Sequence, residues 1–224
     1  MKVCIFSPHI DDAALSCGGL LSFLSKNESN SIHIINVFCG VYNDSNNLLV
    51  NIDRTFEERN LLNNGQITYF PIPDISQKLP VFSWDDVFMG KDELPDKDFI
   101  NDLEKIEKDI NELIHMETYD LILFPMGYGD HKDHVMLSLL GRKYVGNSEN
   151  IYFYRDIPYN NKGKWCDAFF SPVIDITFNL EHKIEIVKKY EKGLQVGDDI
   201  LAEVINFHQS ATECKETLYE YHIK

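Results

Sequence analysis

The sequence predicts an α/β fold, a single Rossmann-like domain over residues 1–224 with a mainly parallel sheet and helices on both faces. Three observations carry this reading. Short apolar runs alternate with stretches of helical periodicity, which is the pattern of βαβ units. The 224 residues are 44% hydrophobic, enough for one well-filled core at a length that favours one domain. No internal repeat or low-complexity tract interrupts the alternation.

The elements follow in chain order. Val3–Phe6 is an apolar run and reads as a buried strand, and Leu15, Leu20, Leu21 and Leu24 then set a helical pattern. Ile32–Phe38 and Ile67–Pro71 read as the next two strands. The clearest helix is Asp98–Glu117, where Phe99, Leu103, Ile106, Ile110, Leu113 and Ile114 recur at spacings of three and four. Leu121–Phe124 is a further strand, with a helix after it marked by Val135, Leu139 and Leu140. Ile151–Tyr154 and Val173–Phe178 complete the strands. Residues 72–98 form a long connection carrying Pro73, Pro80 and Pro95 with Phe82, Trp84 and Phe88 among acids.

Charge narrows the partners. Lys and Arg number 21 against 36 Asp and Glu, a net charge of −15, which argues against nucleic acid and against an anionic membrane. No apolar run approaches the ~20 residues of a membrane span. The first apolar run is already a core strand and not a leader, so the expected location is cytoplasmic. The five cysteines, Cys4, Cys17, Cys39, Cys166 and Cys214, are scattered without the spacing of a zinc knuckle or redox pair. Cys4 and Cys39 read as small core residues, and Cys17 as packing against Gly18 and Gly19.

Chemistry-bearing residues stand at two equivalent addresses. Ser7-Pro8-His9-Ile10-Asp11-Asp12 lies in the turn between the first strand and its helix. Such turns, at the carboxyl ends of the strands, are where open α/β sheets bind ligands. His9 and Asp12 are three apart and face one point across the first helical turn, while Asp11 points elsewhere. A helix cap would explain the carboxylates but not the imidazole beside them. After the strand at 121–124 the chain reads Gly127-Tyr128-Gly129-Asp130-His131-Lys132-Asp133-His134. If these strands are parallel neighbours, His9, Asp12 and His134 form a two-His, one-carboxylate site with open positions. That donor set suits catalytic zinc (Zn2+), and ferrous iron (Fe2+) fits it too. Gly18-Gly19 lacks the third glycine of a dinucleotide loop, and acids in the same turn would repel a pyrophosphate.

Pro-His-x-Asp-Asp followed by Leu-Ser-Cys-Gly-Gly, with His-x-Asp-His beyond mid-chain, resembles the PIG-L/LmbE-like family of zinc-dependent N-acetylglucosaminyl deacetylases. Smaller pieces agree: Arg54-Thr55-Phe56-Glu57 with Gly65, Pro71-Ile72-Pro73-Asp74, and Phe153-Tyr154-Arg155-Asp156-Ile157-Pro158-Tyr159, similar to a signature of one branch. The likeness covers roughly residues 1–195. Ile10 and Ala13 stand where many members have Pro and Glu, and Glu191-Lys192-Gly193-Leu194-Gln195 departs from the usual pattern near that helix.

The resemblance implies a hydrolase that removes acetyl from an N-acetylated amino sugar, a small-molecule substrate. Zinc at His9, Asp12 and His134 would activate water and polarise the amide carbonyl. Asp11 is then the general base, and His131 a donor to the oxyanion with Asp133 as its counter-charge. Tyr128, Tyr154 and Asp156 are candidate substrate contacts. Residues 72–98 read either as a lid with Trp84 as a stacking platform or as decorated surface. Two other readings stay open: a catalytically silent sugar-binding relative, and a phospho-acceptor receiver-type module, which also carries an acidic pair after its first strand. The glycoside and the homo-oligomer state are left open.

Overall fold

The computed structural model describes residues 1–40, 65–72, 97–129, 131–159, 168–189, 197–209 and 214–222. Among them, seven strands form one sheet: β1 (Lys2–Ser7), β2 (Ser31–Asn36), β3 (Gly65–Tyr69), β4 (Leu121–Pro125), β5 (Ile151–Tyr154), β6 (Phe170–Thr177) and β7 (Lys215–Tyr221). Their spatial order is β3-β2-β1-β4-β5-β7-β6. The first five are parallel, and β7 runs antiparallel to both β5 and β6. The chain leaves β1 toward β2 and β3, then returns to place β4 on the other side of β1. That reversal between β1 and β4 is the point at which such sheets open a crevice for ligands.

Helices cover both faces, as the alternating pattern requires. Val3 and Ile5 of β1 face α1 (Asp12–Ser25), α4 (Leu180–Lys188) and α5 (Gly197–Gln209), in a core that also takes in Leu21, Leu24, Val187 and Val204. Cys4 and Phe6 point the opposite way, toward α2 (Lys97–Leu113) and α3 (Lys132–Val145), among Phe99, Ile106, Ile110 and Leu140. Phe6 and Phe124 stack across β1 and β4 with ring centroids 4.3 Å apart. This ties together the two strands that carry the site motifs.

The fold agrees with the sequence reading in class and in each of the six expected strands, with shifted ends in all but Ile151–Tyr154. The expected helix over 98–117 ends at Leu113, and Met116–Thr118 form a 3-10 turn. One strand was not anticipated: β7, Lys-Glu-Thr-Leu-Tyr-Glu-Tyr, which puts Glu216 at a buried position. The glycine pair allows close approach of α1 to α4 and to Phe178, the residue after β6. A Cβ on Gly19 would lie 2.3 Å from the Phe178 ring, and one on Gly18 would lie 3.1 Å from Lys183 Cγ. Residues 73–96, including Trp84 and most of the expected lid, lie outside the described residues, as do Arg54–Glu57 and Cys166.

Candidate metal centre

The turn after β1 is folded by Ser7. Its hydroxyl donates to the His9 carbonyl at 2.6 Å and accepts from the Ala13 amide at 3.0 Å. Ser7 therefore serves the helix start, and the Asp11 side chain makes no capping hydrogen bond. Asp11 and Asp12 are both buried. Carboxylates drawn out of water without serving as caps are costly unless something else uses them.

Three side chains from the two motifs converge. His9 Nδ1 lies 3.0 Å from Asp12 Oδ2, and His134 Nε2 lies 3.2 Å from that same oxygen. The Asp12 oxygen also accepts the His9 amide at 2.9 Å. His134 Nε2 is buried and faces the Asp12 carboxylate. Ligands held ~2.0–2.2 Å from a tetrahedral zinc lie ~3.4 Å from one another, close to the two distances that meet at Asp12, and all three donors lie within 4.8 Å of one another.

The far nitrogen of each ring meets a carboxylate. His9 Nε2 is 2.9 Å from Asp133 Oδ2, and His134 Nδ1 is 2.7 Å from Asp156 Oδ1. A histidine ligand usually gives its second N–H to a carboxylate, which fixes tautomer and ring orientation. Asp133 thus lies on His9 as well as near His131, whose counter-charge the sequence analysis makes it. His9, His131 and Asp133 also present atoms within 4.8 Å of one another. That second grouping shares His9 and uses the carboxylate on its outer nitrogen.

Burial works against charge on these groups, and their mutual contacts outweigh it. The charge and hydrogen bond of His134, with the bond from His9, hold the Asp12 carboxyl well below its ordinary range. The Asp12 charge, with bonds to Asp12 and Asp156, lifts His134 to about 9. Hydrogen bonds to Asp12 and Asp133 likewise raise His9. Without a metal the cluster holds protons where a metal would sit, and the two compete.

The remaining candidates divide. His131 opens α3 beside the triangle, its ring centroid 5.1 Å from His9 and 5.2 Å from His134. Tyr154 is buried and donates its hydroxyl to the Phe6 carbonyl at 2.8 Å, so it braces β5 against β1. Asp156 is 1% exposed, and its second oxygen accepts the amides of Gly127 and Tyr128 at 2.8 and 2.9 Å. It shapes the loop, whose Gly127 and Gly129 have φ of 88° and 96°, and does not reach outward. Tyr128 is buried under the Arg155 guanidinium, 4.5 Å from its ring centroid.

Sequence reasoning missed Tyr159 as a site residue. Its ring packs edge-on to His134 at 5.2 Å and covers Gly129, where a Cβ would lie 2.5 Å from Tyr159 Cγ. Its place in the Asp-Ile-Pro-Tyr run beside Asp156 was the available signal. The histidine donors disfavour a receiver-type module, whose magnesium site needs oxygen ligands.

A family profile, PIG-L, described as GlcNAc-PI de-N-acetylase, matches residues 4–145, more than half of the chain. No curated protein matches the sequence. Among solved structures, a deacetylase–teicoplanin complex from the biosynthesis pathway of teicoplanin is 17% identical, covers 100% of both chains and has a TM-score of 0.70. The zinc-inhibited form of teicoplanin deacetylase Orf2 is 16% identical over 99% of each chain, with a TM-score of 0.65. The N,N'-diacetylchitobiose deacetylase from Pyrococcus horikoshii, complexed with its inhibitor MPG, is 15% identical over 99% of this chain and 83% of its own, with a TM-score of 0.62. At these identities the likeness establishes a shared fold.

Proposed function

The chain belongs to the PIG-L family, that of GlcNAc-PI de-N-acetylase, and on that premise we propose that it is a zinc-dependent hydrolase removing the acetyl group from an N-acetylglucosaminide-type amino sugar. The observation that carries the reading is the convergence of His9 Nδ1 and His134 Nε2 on one oxygen of Asp12, with Asp133 and Asp156 behind the two rings. His9, Asp12 and His134 are the assigned ligands. The family resemblance and the two-His, one-carboxylate donor set support zinc as the metal.

Held there, zinc would supply Lewis acidity, lowering the pKa of water toward ~7 and polarising the amide carbonyl. The protein supplies the rest. Asp11, buried in the turn beside the ligand Asp12, takes the proton of the attacking water and returns one to the leaving amine. His131, at the start of α3, donates to the oxygen on which negative charge develops. Asp133 and Asp156 keep the outer ring nitrogens of His9 and His134 protonated, leaving the inner ones as acceptors. Tyr159 limits access of water to His134 from above the glycine loop.

The test is amine release from a panel of N-acetylated amino sugars, in the presence of zinc and again with a chelator. Zinc-dependent release from at least one glycoside is expected. Binding of the sugars without release would replace the enzyme by a silent sugar-binding relative.

A further inference from the structure

We propose that Lys183 and Glu216 are positioning residues for the metal centre: together they hold a break in α1 and so set the turn that presents Asp12. The inference rests on the assignment of His9, Asp12 and His134 as ligands. Both residues lie outside the stretch that matches the family profile, one on α4 and the other on β7.

The break is at Cys17, whose φ of −115° and ψ of 19° leave the helical region inside an otherwise continuous α1. Glu216 stands at it. Its two carboxylate oxygens accept the amides of Gly19 and Leu20 at 2.8 and 2.6 Å. Lys183 Nζ pairs with Glu216 Oε1 at 2.6 Å and also donates to the Ser16 carbonyl at 3.4 Å. In an unbroken helix the Leu20 amide would donate to that Ser16 carbonyl. Here each group has an ionic partner, the carboxylate at the start of the second segment and the ammonium at the end of the first. Both placements also suit the helix dipole.

The pair is costly where it stands, with Lys183 0% and Glu216 7% exposed. Apolar residues of the same size commonly fill such a place with equal or better stability. Holding backbone groups at a break is something that apolar residues cannot do. The break in turn is tied to the centre. Ser16 Oγ accepts the amide of Ile157 at 3.1 Å, and Ile157 follows Asp156, the carboxylate on His134. The segment that carries Asp12 and the segment that orients His134 therefore meet at Ser16, whose carbonyl Lys183 grips.

The experiment uses the full chain and two variants, Glu216→Gln and Lys183→Met. Zinc affinity is measured by competition with a chromophoric chelator, at a temperature where circular dichroism shows a folded protein, and Tm is recorded beside it. Both variants are expected to bind zinc about tenfold more weakly than the parent chain, the lower end of what orienting groups around metals contribute. A lower Tm with unchanged zinc affinity would mean that the pair only stabilises the fold, and would overturn the proposal. So would loss of folding in both variants, since positioning requires a fold that stands without the pair. Failure of the parent chain to bind zinc overturns the ligand assignment itself. A parent that binds zinc with equal binding by the variants overturns only the role of Lys183 and Glu216.

Discussion

The two nitrogens of His134 have different surroundings, and the difference can be measured. Nδ1 is held by Asp156, while Nε2 is buried against Asp12. Asp156→Ala should weaken zinc binding about 10–100-fold, as loss of an orienting carboxylate does. It should also cost on the order of 2–3 kcal/mol in chemical denaturation, because the Gly127 and Tyr128 amides lose their acceptor. Asp156→Asn, which keeps one acceptor oxygen, should lose less of both. Equal zinc affinity in the parent chain and Asp156→Ala would make Asp156 a loop residue only. Asp11→Asn should keep its zinc and lose kcat by ~10²–10⁴-fold, the usual contribution of a general base. If zinc is lost instead, with Asp12→Asn retaining it, the two carboxylates have exchanged roles. At this scale the three proposed ligands could be picked out because His9 and Asp12 follow the apolar run Val3–Phe6 and His134 lies in the loop-to-helix stretch after Leu121–Phe124. The partners behind them could not. The contact between Asp133 and His9 spans 124 positions and that between Lys183 and Glu216 spans 33, and local spacing carries no trace of either.

Among the elements, α1 shows why its glycines are where they are. Gly19 lies under Phe178 so closely that any Cβ would meet the ring at 2.3 Å. Gly19→Ala should therefore destabilise by ~1–3 kcal/mol, the usual cost of overpacking, seen as a lower denaturation midpoint at unchanged m-value. Gly18→Ala, facing the flexible stem of Lys183 at 3.1 Å, should cost less. If the Gly19 substitution left the midpoint unchanged, the contact with Phe178 would not be the reason for the glycine. The strands that could be read directly, such as Val3–Phe6 and Leu121–Phe124, are buried on both faces and show as apolar runs. Strand β7 hid because its inward positions include Glu216, a residue that propensity places on the surface. Only a partner on another element, here Lys183, makes that position tolerable.

For the whole molecule, the order of strands places the reversal between β1 and β4, and the site follows from topology once the two motifs are put at strand ends. The same burial that builds the sheet makes stability depend on pH. Burial, with the charge of Lys2, lowers His33 to about 4, and burial, with Lys183, lowers His208 to about 3. Below their ordinary value of 6.5 the unfolded chain takes up protons that these buried rings refuse, so stability falls as pH drops from 6.5 toward 4. In the metal-free protein His134 titrates at about 9, so its contribution is present below 6.5 and is lost as pH rises through 9. Thermal unfolding of the metal-free chain across pH should therefore show greatest stability near ~6.5, with the acid limb flattened in His33→Gln. A curve still rising with pH beyond 7 would contradict the assignment of His134. The central claim, a zinc centre that performs N-deacetylation, is tested most directly by titrating zinc into metal-stripped protein while measuring amine release from an N-acetylglucosaminide. Release that starts from nothing and reaches its plateau at about one zinc per chain is the expected result; release that is already complete without zinc, or absent at every zinc level and with every glycoside tried, would contradict it.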